Sequence, residues 1–353
     1  MNKILIELTV SVFMLAVAAS ASSAPTVYIP LGEANQVQVI DAAAERVTGV
    51  VEGIDNAHGL AITPDGRHLV AGSYKELPPG TEDAPPRPEG VSEAEHEKHH
   101  AKPEQTIPAQ AGTSYVSIVD IDSRKVVRRI GVRGAVHHVA VSPDGRFAVT
   151  THPGAGGISV IDLAKSTLVR TVATGLVPNY AVFTPDGRRL FVTNAGDNTV
   201  SEITAGAWAL TRNIATGGSP EHLVLSRDNS TLYVNNVAEG TVSVISVDEG
   251  RVTRTFQAGS VPHGIDISND GHTLFVSSQG DGKLVAIELA SGDVRELALV
   301  PAPYHVTAVR DAGTLYVSSR AESRLWVVDQ KTLLVKGELE IGGIGHQMAV
   351  SVR

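Results

Sequence analysis

Histidine is the residue through which this sequence could do chemistry. The chain holds 13 His and no Cys, so a metal ion would have to be held by imidazole or carboxylate, and thiolates and disulfides are excluded. His58, His137, His263 and His346 occupy one register of a repeat, and His138, His222 and His305 occupy the position after it. Seven of the 13 therefore share two adjacent positions, more than the lining of a watery channel calls for. An imidazole so placed can ligate a divalent transition metal, act as a general base, or simply hydrogen-bond.

The repeat that aligns these residues is visible on its own. Asn179 opens Tyr-Ala-Val-Phe-Thr-Pro-Asp-Gly, followed by Leu190-Phe-Val-Thr-Asn and Thr199-Val-Ser-Glu-Ile, and the same succession returns from Glu221, from His263 and from Tyr304. Marker positions 58, 137, 179, 221, 263, 304 and 346 are separated by 79, 42, 42, 42, 41 and 42 residues, so a single interval carries an insertion. Each unit has four short runs rich in β-branched and aromatic residues with turn residues between them, the signature of a four-stranded antiparallel blade. In Thr63-Pro-Asp-Gly, Ser142-Pro-Asp-Gly and Thr184-Pro-Asp-Gly, Pro presets φ and Gly tolerates the left-handed region, so these Asp residues are turn-formers. Val27 to Val51 supply three strands that lack a first, and Gln347 to Val352 a first strand with nothing after it. Joined, they complete one blade and leave no open edge. The expected fold is all-β: a seven-bladed β-propeller of four-stranded antiparallel blades, the last closed by N- and C-terminal strands.

Leu190-Phe-Val-Thr-Asn with Asp197-Asn-Thr-Val, and Leu232-Tyr-Val-Asn-Asn, resemble the YVTN-repeat family of bacterial β-propellers, relatives in fold of the haem d1 propeller of cytochrome cd1 nitrite reductase and of propeller lactonases. The resemblance covers nearly all of the chain after its first residues. It implies the propeller and little about function, because one scaffold carries many activities.

In a propeller the first strands line a central channel, so the seven marker residues His58, His137, Asn179, Glu221, His263, Tyr304 and His346 converge on its mouth. His346, His58 and His137 come from consecutive blades and form a candidate facial set for zinc or copper, with His263 and Glu221 across the ring. His138, His222 and His305 form an offset set expected to orient the first. A haem-like ligand with two axial His is the weaker reading, since only six Phe and two Trp are available to sandwich a macrocycle. Asp266, where other blades have Ala61, Ala140 and Ala349, is expected to pair with a neighbouring blade.

The insertion, at about 75–113 in the first full blade, is rich in Pro and acidic residues and is expected to sit above the ring as a flap. Ser92-Glu-Ala-Glu95 starts a short helix that places His96, His99 and His100 on one face, suited to capturing metal for the ring, with His152 nearby. The zincin-like string from His96 to His100 lacks the apolar face and third ligand of a peptidase.

The N-terminus bounds the compartment. Residues 1–21 read as a signal peptide with a small-x-small cleavage site at Ala19-Ser20-Ala21, leaving 22–353 as the propeller in the periplasm or secreted, with no transmembrane anchor. A net charge of −9 argues against nucleic acid. The main expectation is an exported, monomeric protein that binds zinc or copper at the ring, a metallochaperone or metal-binding accessory protein whose partners would be the ion and a periplasmic transporter or metalloenzyme. The alternatives are an enzyme at the same mouth, of lactonase or lyase type with His as base or a His-ligated copper oxidoreductase, and an interaction scaffold without metal. No catalytic residue is assigned.

Overall fold

The computed structural model describes residues 25–78, 111–309 and 312–351. These form seven four-stranded sheets and, among the described residues, no helix. Six sheets run in chain order and are numbered here as blades one to six; the seventh joins Ala349–Ser351 to Thr26–Leu31, Gln36–Asp41 and Arg46–Glu52, with Tyr28 opposite Ala349 and Thr26 opposite Ser351. The expected closure by the two chain ends is therefore present.

The blades form because their inner strands bury most residues of both faces against neighbouring blades, while outermost strands such as Val294–Ala298 and Val335–Glu340 stay largely exposed. Val149 and Ile158 of blade two pack with Phe183, Leu190 and Val192 of blade three, and Phe191 and Val200 of blade three pack with Leu223 and Leu232 of blade four. The core thus lies between blades, and each blade needs the next to cover its apolar residues. The Asp turns behave as read: Thr63 and Thr184 donate to Asp65 and Asp186 at 2.6 Å, and Gly66 and Gly187 take φ of 64° and 68°.

One irregularity recurs along the channel. In blades one, three, four, five and six the innermost strand skips two residues of its ladder, between Ala57 and Leu60, Pro178 and Ala181, Pro220 and Leu223, Pro262 and Ile265, and Pro303 and Val306. The skipped pairs are the two registers that carry the histidines. In blade two, His137 and His138 precede the short strand Val139–Val141 altogether. A bulge releases its residues from the strict alternation of a strand, so two consecutive side chains can face the axis.

The bulges are held from outside. Thr151, Thr193, Asn235 and Ser277, each in the second strand of one blade, donate to the marker carbonyl of the next: Asn179, Glu221, His263 and Tyr304. Ser318 reaches Gly345 in the same manner at 3.0 Å. Thr193 and Asn235 of the YVTN-like segments are therefore inter-blade clamps, whereas Asn194 and Asn236, which end those segments, tie down the third strand of their own blade.

Deleting residues 349–353 should expose the edge of Thr26–Leu31, lower the thermal unfolding midpoint and make unfolding concentration-dependent through edge pairing. An unchanged midpoint, read by circular dichroism at two concentrations, would contradict closure by the terminal strand.

Candidate functional site

Aromatic rings crowd the channel mouth. His58 lies 4.1 Å from His346 and 4.6 Å from His137, centroid to centroid, and Tyr74 stacks on it at 5.0 Å. His58 Nδ1–H donates to the His137 carbonyl at 2.8 Å, and His137 Nδ1–H to the Asn179 carbonyl at 3.1 Å. Each Nε2 is left as a lone pair in the neutral ring. Burial, with the neighbouring His137 and His346, holds His58 well below its ordinary value; burial lowers His137 to about 4, and burial with Arg320 lowers His346 to about 3. Three neutral imidazoles result, with the His346 and His137 rings tilted by 32° and 43° to that of His58. His58, His137 and His346, the expected facial set, are brought side by side, but among the described residues they are not in the group whose ring nitrogens gather within 4.8 Å of one another.

The opposite side is built differently. Glu221 Oε2 accepts from His263 Nδ1–H at 3.0 Å, and His263 stacks on Tyr304 at 4.1 Å with an 11° tilt. Burial, the largest single influence, pushes the Glu221 carboxyl up, but the His263 hydrogen bond together with the His263 and His137 charges outweighs it and the net value is lowered, so the group is a carboxylate at neutral pH. It fixes the His263 tautomer, leaving Nε2 buried and without a partner among the described residues. His222 and His305 lie against His263 at centroid distances of 4.3 and 5.0 Å. Both are neutral because of burial, and both also have unpartnered Nε2 atoms.

Other expected residues separate from the site. His138 is not grouped with His222 and His305: it lies against Tyr180 at 3.5 Å, and its Nδ1 accepts the Ala181 N–H at 3.2 Å. The His152 ring is saturated by Gly134, Ala135, Thr150 and Ser159. It stands in blade two where blades three and four have Asn194 and Asn236, and is structural. Asp266 does bridge to the next blade, through the Ala308 N–H at 2.8 Å. His96, His99 and His100 lie outside the described residues, as does the segment 1–21. The described stem of the insertion is closed by Glu76, which accepts Gly112 N–H at 2.9 Å and Ala135 N–H at 2.7 Å.

Tyr74 and Arg320 are site residues that the sequence reading passed over. Arg320 sits 5.2 Å over the Tyr304 ring, at the rim beside His346. Both occupy the position after the second strand, marked by an N–H donated to the residue two before the marker: Tyr74 to Asn56 and Arg320 to Ala302. The other blades have Pro153, Ala195, Val237, Gln279 and Gly32 there. Comparing that register would have exposed the two large exceptions.

The sequence signature described as lactonase, 7-bladed beta-propeller, matches residues 118–307, more than half of the chain. The chain belongs to that family. Solved structures similar to this lactonase-family propeller include a Pseudomonas aeruginosa periplasmic gluconolactonase, 19% identical over 93% of this chain and 99% of the other, TM-score 0.70. A putative 6-phosphogluconolactonase from Bacteroides uniformis is 14% identical over 93% and 99%, TM-score 0.71. Dihydro-heme d1 dehydrogenase NirN is 16% identical over 89% and 63%, TM-score 0.63. At these identities the likeness is one of fold. No curated protein matches the chain. Family membership overturns the expectation of a metallochaperone or metal-binding accessory protein and supports its enzyme alternative. Among the described residues, no helix is long and apolar enough to cross a membrane.

The buried histidines make stability depend on pH. His152, His137 and His346 have folded values near 4, 4 and 3, below the unfolded value of about 6.5. Between those limits the unfolded chain binds more protons, so stability is complete above about pH 6.5 and falls as pH drops towards 4. For fully buried His152 alone the loss approaches roughly 3 kcal/mol. Urea unfolding from pH 7.5 to 4 should show this decline; H152N should flatten it, and an equal slope in that variant would refute the assignment.

Proposed function

We propose that the protein hydrolyses the ring ester of a small polyhydroxylated lactone at the channel mouth. Besides family membership, one observation carries the reading: the Glu221–His263 pair, an imidazole oriented by a carboxylate with its Nε2 left without a hydrogen-bond partner among the described residues. Water attack on the lactone carbonyl forms a carbon–oxygen bond while a water proton passes to His263 Nε2. The ring carbon–oxygen bond then breaks, and the proton returns to the leaving alkoxide, giving the hydroxy acid. Glu221 stabilises the imidazolium formed in between. Negative charge grows on the carbonyl oxygen during attack, and the Arg320 guanidinium at the rim is the cation placed to offset it.

Asn179, Tyr304 and Tyr74 supply hydrogen-bonding and stacking groups suited to a hydroxylated ring. The N-terminal pattern of residues 1–21 and a fold relative described as periplasmic support action in the periplasm. Proton release from glucono-1,5-lactone, followed in a pH-stat, tests the activity. The wild type should exceed the spontaneous rate, H263Q should lower kcat by about 10²–10⁴-fold and E221Q by a smaller factor. A wild-type rate equal to buffer across a panel of five- and six-membered lactones would falsify the proposal.

A further inference from the structure

Buried polar atoms without partners are costly, and this protein gathers three in one place. His222, His263 and His305 are each buried, each Nε2 lacks a hydrogen-bond partner, and one ring nitrogen from each lies within 4.8 Å of the other two. Leaving a buried polar atom unsatisfied costs about 1–3 kcal/mol. Among the described residues this is the one group of three or more His, Asp, Glu or Cys whose ligand atoms converge. The surroundings point to what satisfies them. Nδ1 of His263 is already committed to Glu221 at 3.0 Å, the carboxylate–histidine relay that aims Nε2 of a metal ligand and raises its basicity. Of the seven marker positions, Glu221 alone carries a carboxylate.

We propose that His222, His263 and His305 hold one divalent ion of zinc-like softness, with a fourth position left open to water. Three imidazoles from the neighbouring blades four, five and six approach it, and Glu221 supplies the balancing charge from behind His263. Tetrahedral coordination at the usual zinc–nitrogen distance brings ligand nitrogens to about 3.3 Å from one another, so rotations about the side-chain bonds must close the rings inward. Each ring comes from a bulge whose main chain is fixed by the preceding blade, so the movement stays in the side chains. The set differs from the outer His58, His137 and His346, whose rings lie tilted side by side and whose ring nitrogens are not so gathered.

What the ion does there rests on the hydrolase reading. With Nε2 of His263 held as a ligand, the ion would take over from that imidazole the activation of the attacking water, making it acidic enough to release its proton to bulk solvent. Binding itself does not depend on that reading and is measured apart from it.

The test uses the full mature-length chain purified without an affinity tag, stripped with a chelator and titrated with cobalt(II) chloride. One equivalent should bind and give the ligand-field absorption of a four-coordinate site, and zinc chloride should displace it. H222N/H305N should lose affinity by at least about 100-fold and E221Q by about 10–100-fold, while H58N/H137N keeps the wild-type affinity and spectrum. Thermal unfolding of each stripped variant confirms folding. No cobalt band in the wild type, equal affinity in H222N/H305N, or loss of the site in H58N/H137N instead would each overturn the proposal. Lactone hydrolysis unaffected by stripping, together with absent cobalt binding, overturns the metal site and leaves the hydrolase standing. Tight cobalt binding without lactone hydrolysis supports the site and removes the hydrolase.

Discussion

The channel mouth depends on a bulge in the innermost strand. A regular strand would send one of each pair of consecutive residues into the blade and the other to the opposite face, and only one histidine register could reach the axis. Skipping Glu221 and His222, or Tyr304 and His305, in the ladder turns both towards it. The freed main chain still needs hydrogen bonds, and hydroxyl or amide side chains of the preceding blade provide them, as Thr193 does for Glu221 and Asn235 for His263. A residue conspicuous in the repeat for its place in one blade thus positions the chemistry of the next.

Concentrating imidazoles has an electrostatic consequence. Protonated together at such spacing they would repel, and burial removes the water that could screen them. The structure keeps most of them neutral and ties Nδ1 of His58 and His137 to main-chain carbonyls. Glu221 beside His263 adds the one carboxylate among the marker residues. Charge at the mouth is therefore asymmetric, with a carboxylate–imidazole pair on one flank and Arg320 above Tyr304 near it. A symmetric scaffold becomes a polarised site through substitutions at equivalent positions.

Most of the fold was legible because its cause is local and repeated. Pro-Asp-Gly turns, strand composition and the 42-residue spacing each recur, and the missing first strand before Val27 was balanced by the spare one after Gln347. The seven marker residues were legible for the same reason. Which of them act together was not, because it follows from ring orientation. His58 and His137 are set by carbonyls that lie 79 and 42 residues away, and His138 is turned by the Ala181 N–H of another blade. His152 misled because its type suggested chemistry while its register, shared with Asn194 and Asn236, indicated a turn lock.

The composite blade has a further consequence. His58 belongs to the first blade to be synthesised and His346 to the last residues of the chain, yet their rings lie 4.1 Å apart. That side of the mouth cannot exist on a nascent or C-terminally truncated polypeptide, however well its middle blades have folded. Pairing of the outer imidazoles therefore waits on the residues around 346, and a polypeptide that stops short of them lacks the His58–His346 contact.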